Sequence, residues 1–470
     1  MADLDILDAY RPLFYPRSIA VVGASSNPFK LGFHALLAAK SAGFAGEIFA
    51  VNPKAGEEIQ GVKAFRRISD LPDNIDLFVY AIPDKMVVPA VREAVEKGGR
   101  AGVIFAGGFR EVGPDGVKLQ RALVEAAGRG GMKLIGPNCI GVVNTHVGLN
   151  ATFAVPLGGI KKGGVSVVSQ SGGVGMCIVS HLFDEGVGLG KFVSIGNRAN
   201  VEFADMVEYL ALDPDTSVIC LFIEGIDDAR QFLMRARKYA RLKPVIAYNR
   251  GYTEKSSGVA LSHTGSMASS EEVYRGAFRQ AGIIQAESLV EMAVLAKCFS
   301  MGVRLEGNGV FMCTHTAGPA IVIADICERA GVRFPELEPK IAEAMREFLP
   351  PHSVPGNPLD MFAQAWTNSS LYLKATDLAL RQKNIHCAVA VFQSGMGAGP
   401  AFPAREFSQL GHRYGKPTFL CLTAPQAFAK EMEEAQNQGV VTFNRAEKTG
   451  AAIVGLTRLL KESRVHDRKK

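Results

Sequence analysis

Runs of Val, Ile and Phe that end in Gly, Ser or Asn alternate with helical patterns along almost the whole chain. Apolar runs of strand length between amphipathic stretches are the mark of α/β architecture with parallel sheets. In the first part the pattern predicts strands over 18–23, 47–52, 76–82, 101–106 and 132–135, with helices such as 87–97 and 116–129 between them. Five strands with crossovers make one doubly wound domain. A second series starts at Gly164, runs through 192–195, 218–223 and 245–248, and closes with a helical region ending near Met301. A third starts at Val310, passes through 388–392 and 418–422, and ends in a helix over 446–460. The breaks fall within 144–163 and 302–309, so the expected domains are 1–145, 146–302 and 303–470.

One arrangement recurs in all three series: an apolar strand, a turn of small residues, then a helix start. It appears as VVGASS (21–26), VVSQSGGVG (167–175), MCTHTAGPA (312–320) and VFQSGMGAG (391–399). In open parallel sheets ligands sit beyond the carboxyl ends of strands, where a helix N-terminus offers free N–H groups to anions. Small residues also simply permit tight turns, so each turn taken alone supports either reading.

Composition narrows the class. The chain has 470 residues, 52 basic and 46 acidic side chains and a 47% hydrophobic fraction, which suits about three soluble globular domains. Eight cysteines without a C-x-x-C pair or zinc spacing point to reduced thiols in the cytoplasm and to no metal site. The first residues, MADLDILDAYRPLF, carry three aspartates where a leader would be basic. The uncharged stretch 134–160 is broken by Gly, Pro and Asn, so no membrane span is expected. The basic tail KESRVHDRKK reads as a solvated end, and no nucleic-acid partner is expected.

The turn from Gly23 to Gly32 lacks G-x-G-x-x-G spacing, and the second strand ends in Val51-Asn52-Pro53-Lys54, where a dinucleotide fold usually has an acid for the ribose diol. Lys54 suits a phosphorylated nucleotide such as NADP or coenzyme A, or is a solvated loop lysine. Between 249 and 270 runs a long connection, RGYTEKSSGVALSHTGSMASS, containing His263. Long loops in compact α/β units are often functional. Glu224 ends the preceding strand on the same sheet edge. A carboxylate on one imidazole nitrogen fixes the tautomer and leaves the other nitrogen as a nucleophile, although Glu224 would also suit the start of the following helix. If the imidazole attacks a phosphoryl group, the SQSGG and THTAG helix starts, the latter including Ala317 and Gly318, offer N–H donors to the product.

At this point the chain resembles the α subunits of the NDP-forming acyl-CoA synthetases, relatives of succinyl-CoA synthetase. The carriers are VVGAS (21–25), VNPK (51–54), IGPNCIG (135–141), GLNATF (148–153), VSQSGGVG (168–175), SIGNRANV (194–201), IEGI (223–226), SHTGSMA (262–268) and GNPLD (356–360). The resemblance implies a Rossmann-like CoA-binding domain followed by two flavodoxin-like doubly wound domains. By position, Gly23, Ser25, Lys30 and Lys54 would contact CoA, with Asn138 and Cys139 near its thiol end. His263 would be the phosphohistidine, Glu224 its partner, and Ser171, Gly172 and Gly173 a phosphate-holding helix start. Cys139 as a nucleophile is disfavoured by its apolar setting.

The ATP-grasp part is missing, and no P-loop replaces it. The resemblance therefore implies a separate ATP-grasp β subunit holding ATP/ADP with Mg2+, an α2β2 assembly, and a small carboxylic acid substrate. Acetate and branched, aryl, dicarboxylic or sulfonated acids all meet the pattern. Departures lie in the third domain: Thr314-His315-Thr316-Ala317-Gly318 replaces an Asn-x-Gly-Gly-like start, and MFAQAW follows Asp360. His315 is expected either to donate toward an anionic acid or to cap its helix, and Trp366 to line a pocket or fill an interface. The rival classes are a non-catalytic CoA-binding regulatory subunit and an NADP-dependent reductase.

Overall fold

Each strand series closes into its own sheet, and the winding order of each fixes where a ligand can sit. The structure, a computed structural model, describes residues 3–250, 271–394, 401–423 and 429–467. The first sheet contains β1 (Ser18–Val22), β2 (Glu47–Val51), β3 (Glu58–Ile59), β4 (Val62–Phe65), β5 (Leu77–Tyr80), β6 (Ala101–Ile104) and β7 (Lys133–Ile135). Its order is β3-β4-β2-β1-β5-β6-β7, parallel except for the β3–β4 pair. Without β3 this is the 3-2-1-4-5-6 dinucleotide-fold order. The hydrophobic pattern predicts five of these strands; β3 and β4 are only partly buried and, reading EI and VKAF, form no continuous apolar run. β1 and β5 are buried along their whole length, as parallel strands covered on both faces must be.

The second sheet contains β8 (Gly141–Asn144), β9 (Leu149–Thr152), β10 (Lys162–Ser169), β11 (Leu189–Ser194), β12 (Val218–Ile223), β13 (Val245–Asn249) and β14 (Ile284–Gln285), in the order β14-β13-β12-β10-β11-β8-β9. Read from β11 to β14, its parallel part has the flavodoxin-like order 2-1-3-4-5. β8 and β9 add an antiparallel pair at the β11 edge, so the second sheet already begins at Gly141. That pair hides from a hydrophobic scan because Asn144, Asn150 and Thr152 are fully buried within it. Their polar atoms are satisfied: the Asn144 amide donates to the Phe14 carbonyl at 2.9 Å and the Thr152 hydroxyl to Asn150 Oδ1 at 2.7 Å.

These two sheets form one unit, Met1–Met292, with an apolar cluster running from Ile6 to Ile283. The first helix, Asp3–Phe14, contributes Phe14, which stacks on Tyr209 with ring centroids 4.6 Å apart. Burying such a ring contributes about 1.5–3 kcal/mol.

Where the second sheet's strands begin, a polar cluster lies inside the protein. Lys191 on β11 is fully buried, and its ammonium donates to Asp213 Oδ2 at 2.7 Å and to the Tyr15 hydroxyl at 3.1 Å. Tyr15 in turn donates to Asp215 Oδ2 at 2.5 Å, and the Thr216 hydroxyl to Asp213 Oδ2 at 2.5 Å. Burial lowers the Lys191 pKa against the pull of Asp213. Every member has a partner, as a buried ion pair requires.

The second unit, Ala293–Lys470, holds β15 (Val310–Thr314), β16 (Leu359–Asp360), β17 (Cys387–Gln393), β18 (Thr418–Thr423) and β19 (Val441–Phe443), all parallel in the order β16-β15-β17-β18-β19. This is 2-1-3-4-5 again. The chain is thus a Rossmann-like domain followed by two flavodoxin-like doubly wound domains.

Candidate functional site

In each sheet the chain leaves two neighbouring strands in opposite directions, and the crevice beyond their carboxyl ends is where α/β proteins bind ligands. The three crevices lie between β1 and β5, β10 and β12, and β15 and β17.

At the first, Gly23 leaves β1 with φ +90, and a Cβ there would lie 2.4 Å from the Ala81 carbonyl oxygen. Glycine is therefore required for the two strand exits to approach. The loop then turns on itself: Ser25 Oγ accepts from the Asn27 amide at 3.0 Å and Asn27 Oδ1 from the Phe29 amide at 2.9 Å. Asn52, at the β2 exit, donates from its side chain to the Ala24 carbonyl at 2.8 Å while its Oδ1 accepts from the Lys54 amide at 2.9 Å. The loop carrying Gly23 and Ser25 is thereby tied to the one carrying Lys54. Lys30 caps the helix Leu31–Ser41 without a side-chain bond, and both Lys30 and Lys54 stand exposed. A glycine cradle with two cations on its rim fits a phosphate-bearing nucleotide.

The second crevice brings together elements far apart in sequence. β10 runs into Gln170 and Ser171, and Ser171 Oγ caps the helix Gly172–Asp184 by accepting from the Val174 amide at 3.4 Å. Gln170 reaches across to the β12 exit, where its Oε1 accepts from the Glu224 and Gly225 amides at 3.1 and 3.2 Å. From the other side Asn249 at the end of β13 donates to the Ile223 carbonyl at 2.8 Å. Two amide side chains thus hold the turn that presents Glu224, which is half-buried. The turn 136–140 of the first domain closes on the same place. A Cβ on Gly172 would lie 2.6 Å from Ile140 Cγ1, and the Ile140 amide donates to Ser194 Oγ at 3.1 Å. In that turn Asn138 is half-buried with φ +57. Cys139 lies beneath it, donating to the Ile104 carbonyl at 3.2 Å, and burial pushes its thiol up to about 12. A thiol so held is a packing group and a poor nucleophile. His263 lies outside the described residues, in the segment that follows β13.

A charged network joins the same loops. Arg198 is buried in a left-handed turn and pairs with Glu202 and Asp227, each at 2.9 Å, while Arg110 reaches Asp227 at 2.6 Å. Burial would raise the Asp227 carboxyl, but the two guanidiniums outweigh it and hold it below the usual range. Glu111 accepts from the Gly108 and Phe109 amides and from Asn197. The loop after β6 is thereby fastened to the loops after β11 and β12.

At the third crevice His315 Nδ1 lies 2.9 Å from the Tyr372 hydroxyl, which donates its one proton to the Val391 carbonyl at 2.8 Å. Nδ1 must therefore carry a proton, and the neutral ring keeps Nε2 as an acceptor. Burial lowers the His315 pKa against the nearby Asp360 carboxylate. The neutral ring turns its donor inward to Tyr372, and the helix Ala317–Arg329 has Thr316 at its N-cap with no side-chain cap bond. Ala317 and Gly318 are exposed at that helix start. Trp366 packs against the second unit's core.

Sequence reasoning singled out the SQSGG stretch without giving Gln170 a role, and it missed Asn249, Arg110, Arg198 and Asp227. Their partners lie on other strands, and only register brings them together. Among the described residues no three His, Cys, Asp or Glu side chains could hold a metal ion, and no helix is long and apolar enough to cross a membrane.

Residues 17–145 match the CoA binding domain family, 162–299 the succinyl-CoA ligase like flavodoxin domain, and 310–457 the ligase-CoA domain. The chain is 38% identical over 454 residues to the α subunit of ADP-forming acetate–CoA ligase II of Pyrococcus furiosus, covering 95% of this chain and 97% of that subunit. It is 38% identical over 351 residues to the ADP-forming acetate–CoA ligase of Methanocaldococcus jannaschii, covering 75% of this chain and 49% of that longer protein. Acetyl-coenzyme A synthetase 1 of Ca. Korarchaeum cryptofilum, solved with phosphate and ADP, matches with a TM-score of 0.85 at 28% identity, over 97% of this chain and 98% of that one.

Proposed function

Because the chain belongs to the α subunits of the ADP-forming acyl-CoA ligases, a family of acid–thiol ligases, we propose that it carries the phosphoryl group between nucleotide and acid on His263, with Glu224 as the orienting carboxylate. In the overall reaction ATP, a small carboxylic acid and CoA give acyl-CoA, ADP and phosphate. The phosphoryl group passes from ATP to the histidine and then to the acid, and CoA thiolate displaces phosphate from the acyl phosphate.

The observation that carries this reading is the convergence at the second crevice. The Glu224 turn, the Ser171–Gly173 helix start and the turn holding Asn138 meet there from three separate stretches of chain. Glu224 on one imidazole nitrogen would leave the other free to attack phosphorus. The Ser171-Gly172-Gly173 amides would donate to the dianion that forms, and the helix start at Ala317 and Gly318 offers donors of the same kind within the second unit. Gly23, Ser25, Lys30 and Lys54 would hold CoA phosphates. Asn138 would lie by its thiol end, with Cys139 supporting the turn from below. ATP/ADP and Mg2+ would belong to a separate ATP-grasp β subunit in an α2β2 assembly working in the cytoplasm.

The test is to incubate the reconstituted complex with γ-labelled ATP. Label is expected on His263, acid-labile and base-stable, and absent from His263→Ala. Glu224→Gln should slow labelling by about 10²–10⁴-fold, the range for a positioned acid–base partner. Full ligase activity in His263→Ala would remove the assignment.

A further inference from the structure

Gln170 has one arm in use and one without a partner. Its Oε1 receives two backbone N–H groups, from Glu224 and Gly225, and those donors settle which end of the carboxamide is oxygen. The NH2 group is bonded to the same carbon, so it lies in the same crevice between the β10 and β12 exits. The residue is only 3% exposed, and Nε2 is buried with no hydrogen-bond partner. A buried donor left unpaired is costly, and native proteins keep very few without a reason. Here the reason is local. Gln170 immediately precedes Ser171, the N-cap of a 13-residue helix whose first N–H groups also seek an acceptor. All these groups are donors, and the ligand that satisfies them together is an oxyanion.

We propose that Gln170 is a catalytic residue whose carboxamide NH2 donates a hydrogen bond to an oxygen of the phosphoryl group at the Ser171 helix start. This rests on the phosphoryl-transfer reading above and adds a side-chain donor to it. The geometry also couples two tasks in one group. The oxygen of Gln170 fixes the turn that presents Glu224 while its nitrogen holds the phosphate, so phosphate position and carboxylate position are set by a single amide plane.

The experiment titrates the full chain with inorganic phosphate by calorimetry, comparing wild type with Gln170→Glu and Gln170→Met. Glu keeps an oxygen for the Glu224 and Gly225 amides but replaces the donor with a negative charge. Met has nearly the same shape and neither polar arm. CoA affinity, measured on the same samples, reports whether the first domain and its contacts remain folded. Both variants should bind phosphate at least tenfold more weakly with CoA affinity unchanged. Phosphate affinity equal to wild type in either folded variant overturns the proposal, as does a wild-type chain that binds no phosphate. Labelling of His263 is scored separately. If wild type carries no phosphohistidine, the transfer reading fails, and the phosphate titration still decides the role of Gln170.

Discussion

The two ends of the second sheet handle buried polarity in opposite ways. Where the strands begin, Lys191, Asp213, Tyr15, Asp215 and Thr216 form a closed cluster in which each buried group meets a partner of matching chemistry. Where the strands end, Gln170 keeps an unpaired NH2 beside the start of the helix Gly172–Asp184. The first end has nothing left to offer a ligand. The second keeps a buried donor that an anion, as proposed, would satisfy. Burial and charge alone would rank the Lys191 cluster as the more conspicuous site, yet satisfaction of hydrogen bonds, more than the number of ionisable groups, separates structure from function here.

The comparison breaks most directly at Lys191. Lys191→Met leaves Asp213 charged, buried and without its cation, and should cost about 3–5 kcal/mol. Denaturant unfolding of the full chain followed by circular dichroism would read this as an earlier first transition. A variant as stable as wild type would refute a structural role, and phosphate affinity should stay unchanged while the chain is folded.

Tyr15→Phe is a smaller perturbation that removes a hydrogen bond to a charged group, worth about 1.5–3 kcal/mol. Its pH dependence carries a sign. Burial would raise the Asp215 carboxyl, but the Tyr15 hydroxyl, His146 and Lys191 together lower it below its ordinary 3.8. A carboxyl lowered in the folded state binds fewer protons there than when unfolded, so its contribution is full above 3.8 and is lost as pH falls through the lowered value. The stability gap between wild type and Tyr15→Phe should therefore be constant at neutral pH and shrink below 3.8. A gap that persists to the acid limit would exclude Asp215 as the partner.

The smallest effect sharpens the contrast in accessibility. Seven of the eight cysteines are buried and Cys177, on the helix that starts at Gly172, is exposed. One thiol per native chain should react rapidly with an aromatic disulfide reagent, and Cys177→Ser should abolish that phase while changing stability by less than about 0.5 kcal/mol. Rapid reaction of further thiols would mean that the sheets open more readily than their packing indicates.

Much of the fold was legible because parallel strands buried on both faces read as continuous apolar runs; β12, predicted over 218–223, is Val218–Ile223. β8 and β9 were not, since Asn144, Asn150 and Thr152 satisfy one another and the backbone inside the sheet and look like a linker in one dimension. The same limit applies to the site. Glu224 was readable as the residue that ends an apolar run. Gln170 and Asn249 act through neighbours 54 and 26 residues away, and their meaning appears only when β10, β12 and β13 lie side by side. His315 was visible as a departure, but the direction of its proton depends on Tyr372, 57 residues further on.

The stacking of Phe14 on Tyr209 reaches beyond packing. The helix Asp3–Phe14 finds one of its supports on a helix made nearly two hundred residues later. During synthesis the part of its apolar face that Tyr209 covers stays open until that support emerges. The nucleotide-fold domain therefore inherits its finished surface from its neighbour, and the two have reason to travel through evolution as a pair.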